Sequence, residues 1–401
     1  MVDLRKICVI TGTRAEYGLL SPVIRELRKF ENNQLKIELI VTGTHLSQQY
    51  GMTVQEIEKS GQRIDKRIEI PVESASATDI SCNQADTLVK FTKLFSSEQY
   101  NAVLLLGDRY EMLMVAIAAG NTHTPIFHLC GGDTTEGAMD EWIRHAITKI
   151  SYLHFVTNKE SQGRVIQLGE NPARVFNVGS TSIDNIFTLA NMSKIEALES
   201  VELNDCDYAL CTYHPVTMES DEVDKQIEEF LAAIQALPEM QFIVTKSNAD
   251  QGGARINAIL DEADLPNMHV FTSLGVRRYL SLMKYAKFVL GNSSSGIIET
   301  PALHVPTVNI GDRQRGRLQS SSIINCGTSK DEIVEAMQLA LSKEHQAICR
   351  KVTSPYGDGH TAERIAKKTV EAINGQIDLK KKFYDLPEVQ NFEQATGVYN
   401  S

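Results

Sequence analysis

The chain has 401 residues, 42% of them apolar and 23% charged, enough for two globular domains and unlike a disordered sequence. Its formal net charge of −11 argues against a nucleic-acid binder, whose footprint is a basic face, and means that an anionic ligand must be met by arginines placed locally. Seven cysteines without a Cys-x-x-Cys pair, and a charged start "MVDLRKICVI" with no spanning apolar run, predict a reduced, soluble, cytoplasmic protein with no zinc site and no membrane partner.

In chain order, the apolar runs "KICVIT", "IELIVTG", "AVLLLG", "IFHL" and "HFVT" are predicted strands, followed later by "YALCTY", "FIVTK", "KFVLGN" and "TVNIG". Near-continuous apolar strands with helices between them indicate parallel sheets covered on both faces. One helix is predicted at "EYGLLSPVIRELRKF", with Leu20, Val23, Ile24 and Leu27 on one face, and another at "MDEWIRHAITK". A third is "DEVDKQIEEFLAAIQAL", where Ile227, Phe230, Leu231, Ile234 and Leu237 recur at three-to-four spacing. The polar stretch 177–207 separates the two strand groups and reads as a junction. The prediction is α/β, with two doubly wound Rossmann-like domains and a ligand at the carboxyl ends of the strands.

Polar residues just past a strand end face that ligand. The first half offers Arg14 and Glu16 in "GTRAEYG", His45 in "VTGTHLSQQYG", Asp108 and Arg109 in "GDRYE", and the glycine turn "HLCGGDTTEG". The second half offers His214 in "TYHPVT", Asn248 in "TKSNADQGG", Ser293 and Ser294 in "LGNSSSGIIE", and Arg313 in "NIGDRQRGR". Turn chemistry accounts for any one of these, but poorly for the whole set. "GTRAEYG" is neither a P-loop nor a dinucleotide fingerprint. The serines before Gly296 either cap a helix or offer hydroxyls and amides to a phosphate, with Glu299 one turn later placed to accept hydrogen bonds from ribose. Asp140 and Arg144, four apart, share a helix face; the alternative to a site role is an ordinary surface ion pair.

These stretches, in order and with the tail "KKKFYDLPEV", resemble the hydrolysing UDP-N-acetylglucosamine 2-epimerases of bacterial sialic acid biosynthesis almost end to end. The resemblance implies a glycosyltransferase-B type fold with the active site in the interdomain cleft. An N-terminal domain would span 1–178, a UDP-binding domain 179–364, and the tail 365–401 would cross back to the first domain. It places Ser293 and Ser294 at the phosphates, Glu299 at the ribose, His214 and Arg313 at the diphosphate, and Asn248 in the nucleotide site. Arg14 would reach the diphosphate from the other domain, with Arg109 beside phosphate and sugar and His45 near the sugar. Asp108, Asp140 and Arg144 match essential polar positions around the sugar. Relatives often carry glutamate or histidine where this chain has Cys130, which leaves Asp108, Asp140, Asp133 and Glu136 to share proton transfer. Glycine at position 18 replaces a phosphate-binding serine of some relatives. Glu16 either orients Arg14 or caps the helix.

The chemistry implied is anti elimination of UDP to a glycal, then hydration, giving UDP and N-acetylmannosamine with no metal and no cofactor. A homo-oligomer, dimer or tetramer, is implied as well. The rival readings are a non-hydrolysing epimerase, an enzyme for a UDP-linked 2,4-diacetamido-trideoxy sugar of legionaminic acid synthesis, a glycosyltransferase, and a non-enzymatic nucleotide-sugar sensor.

Overall fold

The predicted apolar runs pair in parallel and bury alternate residues on opposite faces. In a computed structural model, which describes residues 4–72, 76–135, 139–215, 223–247 and 253–387, they form two sheets. Glu136 and Asn248 lie outside the described residues. One body takes the chain up to Thr181 and again from His360, and the other is Ser182–Gly359.

The first body holds strands β1 (Arg5–Thr11), β2 (Leu35–Thr42), β3 (Lys66–Ile68), β4 (Ala102–Leu106), β5 (Ile126–Leu129), β6 (Leu153–Val156) and β7 (Val175–Asn177). They lie in the order β3-β2-β1-β4-β5-β6-β7, all parallel. Ile7 and Val9 of β1 enter one core with Leu39 and Leu104, while Cys8 and Ile10 enter the opposite core with Ile40 and Leu105. Both faces are therefore covered, which is why the strand reads as an unbroken apolar run. The helix Thr361–Asn374 packs here too, adding Ala362, Ile365, Ala366 and Ile373 to the cluster of Leu20, Val23 and Leu27.

The second body holds β8 (Tyr208–Thr212), β9 (Gln241–Thr245), β10 (Met268–Phe271), β11 (Phe288–Gly291), β12 (Thr307–Ile310) and β13 (Ile323–Cys326). Their order is β10-β9-β8-β11-β12-β13, again parallel throughout. Two doubly wound sheets are what the strand pattern predicted. The junction stretch contains two helices, Thr181–Leu189 and Lys194–Glu199, the second closed by a Ser193–Glu196 capping box.

Four strands have no counterpart in the sequence-based prediction: β3, β7, β10 and β13. All four are sheet edges. β3, β10 and β13 are mostly half-buried, and β7 is only three residues long, so none carries the apolar run that marks a central strand. Each sheet reverses its winding once, between β1 and β4 in the first and between β8 and β11 in the second. Doubly wound sheets place their ligand crevice outside the strand ends at that reversal. Among the described residues no helix is long and apolar enough to cross a membrane.

Candidate active site

At the reversal of the first sheet, β1 runs into Gly12 and Thr13 and then the helix Arg14–Arg28. Thr13 caps that helix by accepting the Glu16 amide at 3.2 Å, and Glu16 Oε2 accepts the amides of Gly12 and Thr13 at 2.7 and 3.1 Å. Of the two roles open to Glu16, the cap is the one this geometry performs. Arg14 turns outward, more than half exposed, with Glu56 as its nearest carboxylate at 3.8 Å. Burial, and next the charge of Glu111, push the Glu16 carboxyl up to about 8.

β4 delivers Asp108 and Arg109 through Gly107, whose φ of 115° glycine adopts freely. Arg109 Nε donates to Glu111 Oε1 at 2.6 Å. After β5 the chain passes through Cys130 and Gly132, both at positive φ, to Asp133. A side chain at Gly132 would begin 2.3 Å from the Ser161 carbonyl oxygen, so the turn closes only with glycine. Asp133 Oδ1 accepts the hydroxyls of Thr157 and Ser161 at 2.6 and 2.7 Å. Burial raises the Cys130 thiol, so it stays protonated and is a poor base.

Arg144, on the helix Met139–Ile150, gathers these turns. Nη1 donates to the Asp133 carbonyl at 2.7 Å and to Glu141 at 3.1 Å, while Nη2 donates to Asp108 and to the Thr135 hydroxyl at 2.9 Å. The surface pair with Asp140 that the spacing allowed is not formed. Arg144 is only 4% exposed and turns to Asp108 and Glu141 instead. The half-buried Asp140 carboxyl is raised by burial and then by the charge of Asp108. His45 is fully buried, its ring nitrogens 3.1 Å from the Thr11 hydroxyl and 2.8 Å from that of Thr53. Burial lowers it to about 4, so it is neutral at pH 7.

At the reversal of the second sheet, Asn292 is the organising residue. Its Oδ1 accepts the His214 amide at 2.7 Å and its Nδ2 donates to the His214 carbonyl at 2.8 Å, tying the end of β8 to the end of β11. Arg313 and Gln314 donate to the Asn292 carbonyl at 3.1 and 2.8 Å. The His214 ring meets Ser247 at 3.0 Å. Ser293 and Ser294 are half-buried beside them, and Ser293 Oγ accepts the Ser295 amide at 3.4 Å.

The helix expected after the serines is a single turn, Ser295–Ile298, followed by a second, Thr300–Leu303. Proline at 301 lacks an amide hydrogen, which limits the continuous ladder a long helix needs. An anion here must therefore rely on hydroxyls, loop amides and Arg313 rather than on a long helix dipole. Glu299 Oε2 is buried without a hydrogen bond, and burial raises this carboxyl to about 8. Glu111, Glu141 and Asn292 were not singled out from the sequence. Glu111 and Asn292 stand inside the quoted "GDRYE" and "GNSSSG", so their neighbours were the signal.

The chain matches known proteins over almost its whole length. The family described as UDP-N-acetylglucosamine 2-epimerase matches residues 27–369. A Campylobacter jejuni protein named GDP/UDP-N,N'-diacetylbacillosamine 2-epimerase (hydrolyzing) is 38% identical over 95% of this chain and 99% of its own length. An Escherichia coli protein named polysialic acid biosynthesis protein P7 is 36% identical over 96% of this chain and 98% of its own. The structure of UDP-GlcNAc 2-epimerase from Neisseria meningitidis bound to UDP-GlcNAc superposes with a TM-score of 0.78 at 19% identity, covering 91% of this chain and all of that one. That likeness is one of fold. The chain belongs to the UDP-N-acetylglucosamine 2-epimerase family and is an enzyme of that kind.

Proposed function

We propose that the protein hydrolyses UDP-N-acetylglucosamine with inversion at C2, giving UDP and N-acetylmannosamine for sialic acid and hence surface polysaccharide. What carries this reading is the cluster at the first sheet's reversal, where Arg144 fastens Asp108 near a half-buried Asp140. The hydrogen on C2 is not acidic until the C1–oxygen bond begins to break, so the reaction needs a stabilised leaving group and a base together.

Ser293, Ser294, His214, Arg313 and Asn248 take the uridine diphosphate, with Glu299 at the ribose. Arg14 and Arg109 meet the diphosphate and the sugar, and His45 supports the turn behind them. Cationic and amide groups stabilise the charge that develops on the departing UDP. The C2 proton passes to a carboxylate, for which the raised Asp140 is suited, with Asp108, Asp133 and Glu136 completing the proton-transfer set. The C1–oxygen bond breaks and a glycal forms. Water then adds its hydroxyl to C1 while a proton returns to C2 from the opposite face. The protein acts in the cytoplasm as a homo-oligomer, without metal or cofactor.

A second reading rests on the relative named for N,N'-diacetylbacillosamine, at 38% identity. There the same chemistry acts on a UDP-linked 2,4-diacetamido-trideoxy sugar. Incubation with each donor separately in heavy water, followed by NMR, tests both. Free N-acetylmannosamine carrying deuterium at C2, formed from UDP-N-acetylglucosamine, is expected. Turnover of the diacetamido donor alone supports the second reading. A UDP-linked product, or protium kept at C2, refutes hydrolysis through a glycal.

A further inference from the structure

Beneath the first body's cluster lie two carboxyl groups that the proposed steps do not use. Glu16 is 5% exposed and Glu111 2%. Each keeps one oxygen buried without a hydrogen bond, Oε1 of Glu16 and Oε2 of Glu111. Their other oxygens are engaged, Glu16 Oε2 with the Gly12 and Thr13 amides and Glu111 Oε1 with Arg109 Nε at 2.6 Å. The two groups are neighbours, because a side chain at Gly12 would begin 3.4 Å from Glu16 Oε2 and 3.6 Å from Glu111 Oε1. Glu16 Oε1 faces Gly107, 3.1 Å from where a side chain there would begin. The pair is thus packed between the ends of β1 and β4, the two strands of the reversal.

We infer that Glu111 and Glu16 form a buried positioning pair, Glu111 aiming Arg109 at the substrate's phosphate and Glu16 locking the Gly12 turn beside it. This rests on the function proposed above. Neither carboxyl touches substrate. Arg109 has five donors in a fixed fork, and the bond from Nε to Glu111 leaves the terminal nitrogens free to turn outward.

Two full negative charges in so dry a space would repel strongly, and burial with Glu111 raises Glu16 to about 8. The other charged groups facing Glu16 are Arg109 and Asp108, both from the end of β4. His45, behind β1, is neutral. Above that pH a second charge arises next to Glu111 and competes for Arg109.

Glu111→Gln should lower kcat/KM by about 10–100-fold, the range for groups that orient a working residue, without loss of the thermal transition. Glu16→Gln has the shape of the protonated acid. It should lose less than Glu111→Gln and should abolish the fall in kcat/KM expected of the wild type above about pH 8. Wild-type kcat/KM in Glu111→Gln, or an unchanged basic limb in Glu16→Gln, overturns the inference. If the wild type turns over neither donor, it is the functional reading that fails. The pair is then judged by NMR of the Arg109 Nε–H, whose protection from exchange should vanish in Glu111→Ala, which removes the acceptor. Protection that persists refutes the pair.

Discussion

Arg144 binds Asp108 with one end of its guanidinium and the Asp133 carbonyl with the other, so a side chain from a helix joins the ends of two adjacent strands, β4 and β5. Five planar donors make this possible, and lysine, with one point charge, cannot copy it. Arg144→Lys is expected to lose at least about 100-fold in kcat, because Asp108 and Asp140, the carboxylates proposed to face the sugar, lose their fixed spacing. Asp108→Asn should cost on the order of 10²–10⁴-fold in turnover, in the range of a lost acid–base group. UDP affinity should stay within about threefold in both, since neither residue is among those assigned to the nucleotide; steady-state kinetics beside calorimetry checks the split.

In the second body the tightest constraint is Gly291. Its φ is 133°, and a side chain there would begin 2.0 Å from the Thr212 carbonyl oxygen. Gly291→Ala must push β8 and β11 apart at the point where Asn292 ties them. The expected result is destabilisation of about 2–4 kcal/mol in urea unfolding, from strain at a left-handed backbone plus a backbone clash. UDP affinity should fall with it, because His214, Ser293 and Arg313 all hang on the Asn292 turn.

Central strands were legible because burial on both faces leaves an apolar run, as in "KICVIT" and "AVLLLG". The edges β3, β7, β10 and β13 were not, since a three- or four-residue, half-exposed strand leaves no such run. The strand-end positions of Asp108, Arg109 and His214 were legible for the same geometric reason. Their partners were not. That Arg144 prefers Asp108, 36 residues away, over Asp140 on its own helix is a tertiary fact. So is the neighbourhood of Glu16 and Glu111, whose carboxyl oxygens both lie against Gly12.

Buried titratable groups of opposite tendency set the pH dependence of stability. His45 and His128 are depressed to about 4 and about 3 by burial, so their contribution is present above pH 6.5 and lost as pH falls through those values. Glu16 and Glu299, raised to about 8, contribute fully below about 4.5 and lose that contribution as pH rises to 8. Between about 4.5 and 6.5 the two pairs oppose each other, so stability should be nearly level there, falling above about 6.5 and below about 4.5. The lower limb is steepened by Glu98 and Glu170, both held near 2 by lysine partners and, for Glu170, His154. His128→Gln, which can still donate to the Gly107 carbonyl, should tilt the plateau so that the variant gains stability on acidification. Urea midpoints measured across that range decide; an unchanged slope in the variant refutes the assignment.

Glu299 placed at the ribose, as proposed, would make nucleotide binding a proton-linked event. In the free protein its carboxyl is raised to about 8 by burial, and the Ser182 hydroxyl and Arg317 only partly oppose that rise. Oε2 stands buried without a donor. If ribose hydroxyls donate to this group, they favour the carboxylate, its pKa falls on binding, and a proton leaves at pH 7. Calorimetry of UDP binding in buffers of different ionisation enthalpy should then register release approaching one proton per nucleotide. Affinity should climb by up to about tenfold per pH unit toward pH 8 and level off above it, the slope expected for one released proton. Glu299→Gln cannot ionise, so its affinity should be weaker and flat over the same range, which also separates this effect from titration of the UDP phosphate. Equal proton release in wild type and variant would place the ribose away from Glu299, and with it would fall the assignment of the uridine end of the substrate to this turn.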